Sequence, residues 1–157
     1  MAYQKLQTTS ALSIVSTDNA YIPSLSIAET GTSSTVVANA LEDFSATFVT
    51  NNVKVGDVVY NNVTLQAATV TKVIDNTRIL LNASIFAVVG ESYTIYVQNM
   101  PNNGCVLFVG VGGKLRVITE GGQDVTFDTI LGGTFLPVQV IKVFKTDTTA
   151  TNLIALW

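Results

Sequence analysis

The sequence predicts an all-β protein: an antiparallel sandwich or jelly-roll-like sheet carrying an inserted small SH3-like β-barrel. Three observations predict it. The C-terminal block from Asn103 to Trp157 is a run of apolar, β-branched segments cut by the pairs Gly112-Gly113, Gly121-Gly122 and Gly132-Gly133. Glycine accepts positive φ without a Cβ clash, as tight two-residue hairpin turns require. The segments between the pairs, Lys114–Thr119 and Asp124–Ile130, have the length of ordinary strands, so the block is expected to be an antiparallel meander.

The elements follow in order. After a short opening arm, Ala11-Leu12-Ser13-Ile14-Val15 alternates as a strand, Asp18-Asn19 marks a turn and Pro23 ends the segment. Ser- and Thr-rich sequence with Gly31 comes next, then a strand over Val36–Leu41. Glu42–Phe48 has a hint of helical spacing, one or two turns at most. Val53–Tyr60 is a turn feeding a strand, Ala67–Ile74 and Arg78–Leu81 are strands around an Asp75-Asn76 hairpin, and Gly90-Glu91 turns into Tyr93–Val97. Five short strands with tight turns suggest the small barrel. In the third region the strands are Cys105–Val111, Leu115–Thr119, Val125–Ile130, Val138–Phe144 and Asn152–Leu156, with Pro137 at a strand start, where a missing N–H is tolerated. Asn99–Gly104 looks like a linker. Residues 1–23 and 99–157 are thus expected to form an outer sheet domain, and 24–98 a barrel inserted into it.

Composition narrows the function. Hydrophobic residues make up 48% of the 157 residues and charged ones 12%, about half the usual charged share. Thr, Asn and Ser must therefore supply the polar surface, and other subunits are expected to cover part of the rest. Net charge is −3 and the eight Lys and Arg are spread singly, which argues against phosphate-backbone binding. Histidine is absent, removing the commonest general base and metal ligand. Cys105 has no partner for an intrachain disulfide and sits in an apolar strand, where an inert buried thiol is expected. The N-terminus lacks the pattern of a secretory signal, and no apolar run approaches the roughly 20 residues of a membrane-spanning helix.

Face patterning is the sharper clue. A half-exposed strand alternates apolar with polar. In Cys105–Val111, however, Cys105, Leu107, Val109 and Val111 point one way, and Val106 and Phe108 the other. In Val138–Phe144, Val138, Val140 and Phe144 oppose Ile141 and Val143. Two readings stand open: a partner subunit covers the second face, or a bulge shifts register inside one compact chain.

No constellation of catalytic residues stands out. Gly110-Val111-Gly112-Gly113 is followed by a β segment rather than the helix N-terminus a phosphate-cradling loop needs. Glu42 and Asp43 are adjacent carboxylates expected in a solvated turn, and Glu120 lies beside a Gly-Gly turn. Asp18, Asp57, Asp75 and Asp147 neighbour turn residues, where Asp bonds local backbone. Without histidine or a Ser-x-x-Lys motif, hydroxyl nucleophiles lack an activating base. The chain is expected not to be an enzyme and to use no metal and no cofactor. The apolar end Ile154-Ala155-Leu156-Trp157 is expected to be docked rather than frayed.

Gly133-Thr134-Phe135-Leu136-Pro137-Val138-Gln139-Val140-Ile141-Lys142-Val143, followed by Thr148-Thr149-Ala150-Thr151 and the terminal Ala155-Leu156-Trp157, resembles small virion structural proteins of tailed bacteriophages, in particular head spike base proteins of gene transfer agents. Leu107–Gly113, Val125-Thr126-Phe127 and Ala11–Pro23 fit the same pattern. Ala46-Thr47-Phe48, Val53–Asn61, Ala68–Thr71 and Glu91–Tyr96 are similar to a module inserted in phage structural proteins, and this insertion departs from the spike-base pattern. The resemblance implies a decoration, cement or vertex-base protein on the outside of an icosahedral capsid, assembled in the host cytoplasm. Its partners would be the major capsid protein and copies of itself, as a trimer or pentamer, with no direct nucleic acid and no membrane. Subunit or shell contacts are expected at Tyr3, Phe108, Phe135, Leu136, Phe144 and Trp157. The rivals are a tail, collar or fibre module, and a glycan-binding module using Tyr60, Tyr93 and Tyr96 as aromatic platforms.

Overall fold

The structure, a computed structural model, describes residues 8–98 and 104–157. Among these residues the fold is all-β, with two antiparallel sheets, one of them a curled half-barrel, and no helix. The chain divides into two compact units: residues 8–14 with 104–157, and residues 15–98. The boundary falls after Ile14 rather than at Pro23. Thr17 Oγ1 donates to the Ala67 carbonyl at 3.1 Å, Thr69 Oγ1 donates to the Asn19 carbonyl at 2.8 Å, and Ala20 packs with Val58, Tyr60 and Ala67. These contacts bind 15–23 to the inserted unit. Of the expected linker, 99–103 lies outside the described residues.

The inserted unit holds β2 (Ile27–Thr32), β3 (Ala40–Glu42), β4 (Val58–Asn61), β5 (Gln66–Val73), β6 (Arg78–Leu81) and β7 (Ser92–Tyr96), in the order β2-β7-β4-β5-β6-β3. The sheet bends at β5, whose residues 66–69 pair with β4 and 70–73 with β6, with a register shift between Val70 and Lys72. Phe48, Val59, Val70, Ile79, Tyr93 and Ile95 fill the interior. Three expectations need correction. β2 falls in Ser- and Thr-rich sequence where no strand was expected, because its inward residue is Glu29 rather than an aliphatic one. The strand expected over Val36–Leu41 is only Ala40–Glu42, since Asn39 adopts φ 52° and breaks the extension before it. Glu42–Phe48 is not helical, because the Asp43 carboxylate accepts the Ser45 amide at 2.9 Å and closes a local turn instead.

The other unit holds β1 (Ala11–Ser13), β8 (Cys105–Val111), β9 (Gly113–Thr119), β10 (Asp124–Ile130), β11 (Thr134–Val143) and β12 (Thr151–Leu156). Their order is β1-β12-β8-β11-β9-β10, which is not a meander. Of the three Gly-Gly pairs, only Gly121-Gly122 joins neighbouring strands, β9 and β10. β11 lies between β8 and β9, so the β8–β9 and β10–β11 connections must pass each other. They do so in backbone contact. A Cβ on Gly112 would overlap the Ile130 carbonyl and stand 2.7 Å from the Gly132 nitrogen, and one on Gly132 would stand 2.9 Å from the Gly110 oxygen. These glycines serve a chain crossing, not hairpins.

Pro137 sits inside β11, where pairing passes from β8 to β9 and the register shifts between Leu136 and Val140. A second shift between Val140 and Lys142 lets Val140 and Val143 both be buried despite their odd spacing. In β11, therefore, the bulge explains the mixed pattern. β8 has no such shift against β12 and keeps apolar residues on both faces. Trp157 is tied down: its amide donates to the Ser10 carbonyl at 3.1 Å, and its own carbonyl accepts from the Thr9 amide at 2.6 Å.

The crossing gives a test. Gly112→Ala should lower stability by about 1–3 kcal/mol, because backbone has to move. Gly122→Ala, at φ 83° with open space around it, should lose about 1 kcal/mol to the left-handed conformation alone. Urea midpoints followed by Trp157 emission check the difference; equal losses would refute the crossing.

Candidate functional site

Opposite residues of an antiparallel pair share a face. In the 8–14/104–157 unit, Leu136, Leu107 and Ala155 stand opposite one another across β11, β8 and β12, and all are buried. On the reverse side Phe135, Phe108 and Ile154 form the matching row, followed one step along by Val106 and Leu156. Phe135 is 58% exposed, Phe108 and Ile154 are half-buried, and the two phenyl rings lie 5.3 Å apart. Phe135, Phe108, Ile154 and Leu156 thus leave apolar surface on this side, while Val106 among them is buried.

The β9–β10 end of that unit is charged. Arg116 makes a two-pronged bond to Asp124, at 3.0 and 2.7 Å, which holds the Asp124 carboxyl below its usual value. Asp147 pairs with Lys114 at 3.4 Å. The Arg116 guanidinium lies 4.3 Å from the Phe144 ring centre and the Lys142 ammonium 4.7 Å from it.

The structure therefore separates the expected contact residues. Phe108 and Phe135 are neighbours on the apolar row. Leu136 is buried on the core side. Phe144 is half-buried under two cations, and Trp157 is half-buried at the end of β12, beside the residues that lead into β1. Tyr3 lies outside the described residues.

The inserted unit carries a cleft of about 390 Å³ between β2, the turn after β3 and β7. Asp43, expected in a solvated turn, is buried beside it. Its carboxylate accepts from the Ser45 amide and hydroxyl and, at 2.8 Å, from the Tyr93 phenol. Burial opposes its charge, but the Ser45, Tyr93 and Thr32 hydrogen bonds outweigh this and hold its pKa below the ordinary value. Burial first, then the Asp43 carboxylate, push the Tyr93 phenol up. Gly31 makes the pair possible, since a Cβ there would lie 2.6 Å from the phenol oxygen. A glycine inside a strand signals a close approach, a signal that was available only with β2 already placed. Glu29, also on the cleft, gives no such signal. Glu42 instead pairs with Arg78 at 3.2 Å.

Tyr93 and Tyr60 are buried, and Tyr60 packs edge-on to Tyr96, so these rings are not exposed platforms. Burial pushes the Cys105 thiol up to about 12. Among the described residues, no three Asp, Glu or Cys side chains gather as metal ligands would. The chain matches no protein-family model, no curated protein sequence and no solved structure.

Tyr93→Phe should destabilise the inserted unit by about 1.5–3 kcal/mol at neutral pH, the worth of a hydrogen bond to a charged group. Asp43's folded pKa lies below 3.8, so its contribution is full above that value and is lost as pH falls through the folded pKa. The deficit of the variant should therefore shrink in acid. Unfolding followed by the remaining tyrosines across pH checks this; a deficit independent of pH would contradict it.

Proposed function

We propose that this chain is a virion structural protein that decorates or cements the outer surface of an icosahedral phage capsid as a homo-oligomer, bridging capsomer junctions. One observation supports self-association above the others: the row Phe135–Phe108–Ile154, with Leu156, on the side of the sheet opposite the buried Leu136, Leu107 and Ala155. Apolar surface of this kind drives association in water. The phage assignment itself rests on the sequence resemblance.

The mechanism is mechanical. Packed DNA pushes capsomers apart, and a clamp spanning their junctions opposes this through several weak contacts. Identical feet on one oligomer multiply modest affinities, so no single contact has to be strong. The row on β8, β11 and β12 joins the subunits, leaving the inserted unit, with its hydroxyl-rich surface and exposed Phe44, Val63 and Leu65, for the shell or the solvent.

Phe135→Asp tests the proposal, because an exposed side chain can change without emptying the core. Losing a buried phenyl is worth about 1.5–3 kcal/mol per contact, so the association constant should fall at least tenfold in sedimentation experiments. Mixed with undecorated heads, the unaltered protein should bind saturably at a fixed ratio to capsid protein, and the variant should not. Recovery with isolated tails instead of heads would favour a tail or collar module, and indifference to both would reject the proposal.

A further inference from the structure

The cleft of the inserted unit has an unbalanced interior. Two carboxylates, Glu29 and Asp43, line it, and no Lys or Arg does. Tyr93 lines the same cleft, hydrogen-bonded to Asp43 and within the electrostatic reach of Glu29. Asp43 is fully engaged by Ser45 and Tyr93. Glu29 is not. Only 9% of it is exposed; its Oε1 accepts the Thr47 amide at 2.8 Å, while its Oε2 has no partner among the described residues. A buried carboxylate oxygen without a partner is costly, and native interiors rarely keep one without a purpose. Among the other polar groups on the cleft, the exposed Asn62 donates to the Thr94 hydroxyl at 3.1 Å.

We propose that this cleft binds a cationic nitrogen group, an alkylammonium or guanidinium, which the Glu29 carboxylate meets by turning its buried Oε2 toward the cleft. Three properties fit that class. The cleft, at about 390 Å³, lies within the range of small-ligand sites, roughly 300–1,000 Å³, and exceeds what one bare ion needs. Its charge is of one sign, which attracts cations and repels carboxylates and phosphates. An N–H donor satisfies the Glu29 oxygen that has no partner among the described residues, with the strength of a charge-assisted bond. The group can come from a lysine or arginine side chain of a partner polypeptide or from a free polyamine. This inference stands apart from the capsid proposal and can hold without it.

Amide-resolved NMR titration of the full chain tests it, with spermidine in one arm and a capped Gly-Lys-Gly peptide in the other. Saturable shifts confined to residues 29–32, 43–46 and 92–94 are expected in at least one arm, and the tighter arm identifies the source. Glu29→Gln should weaken binding at least tenfold. It should also raise the melting temperature of the unliganded protein, because it removes a buried unpaired charge, and abolish the rise that the ligand gives the unaltered chain. Asn62→Lys, a change at an exposed position, supplies an ammonium to the cleft and should compete with the probe, so the test survives a poorly folded Glu29 variant. Methyl glucoside or calcium shifting the same amides as strongly would overturn the cationic assignment. So would the absence of saturation in both arms, or unchanged binding by either variant.

Discussion

A sheet that is apolar on both faces has to be shielded from water twice. In the 8–14/104–157 unit, the face of Leu107, Val109, Leu136, Val140 and Ala155 is buried. The reverse face is shielded only in part: Phe108 and Ile154 are half-buried, and Phe135 stands largely in solvent. β8 imposes this condition. It sits inside the sheet with β12 on one side and β11 on the other, and its side chains alternate between two apolar surfaces without a register shift against β12. The fold cannot relieve β8 by twisting one residue, because a one-residue slip would move Leu107 and Val109 out of the core.

Strand positions were legible in the sequence where apolar residues alternate or cluster between turn signals: β4 to β10 and β12 all fall close to their expected spans. Strand order was not. Gly112-Gly113 and Gly132-Gly133 resemble hairpin turns locally, yet glycine also lies wherever two backbones touch, and sequence alone does not separate these uses. The insertion of β11 between β8 and β9 is a long-range fact, set by which strands bury each other's faces. In β11 the mixed pattern that suggested a covered second face is the signature of bulges around Pro137 and Ile141. In β8 the same pattern does mark two apolar surfaces.

The inserted unit hid its polar chemistry for a related reason. β2 carries Glu29 inward and Ile27 outward, the inverse of what apolar patterning seeks, so neither the strand nor the carboxylate stood out. Asp43 looked like a turn residue, and it does form a turn with Ser45, but the same carboxylate reaches the buried Tyr93 phenol from a position fifty residues away in the chain. Gly31 would have pointed to the arrangement only once the strand around it was known. A glycine inside a strand predicts that something approaches closely, though not that the visitor is a phenol–carboxylate pair.

Sedimentation of the unaltered chain over a wide concentration range addresses the second apolar face most directly. A discrete oligomer, a trimer or pentamer, is expected, one that dissociates on dilution and whose formation protects the amides of β8 and β12 from exchange. A single species of 16.7 kDa at every concentration would contradict it, because the Phe135–Phe108–Ile154 row would then be content in water and self-association would lose its physical basis.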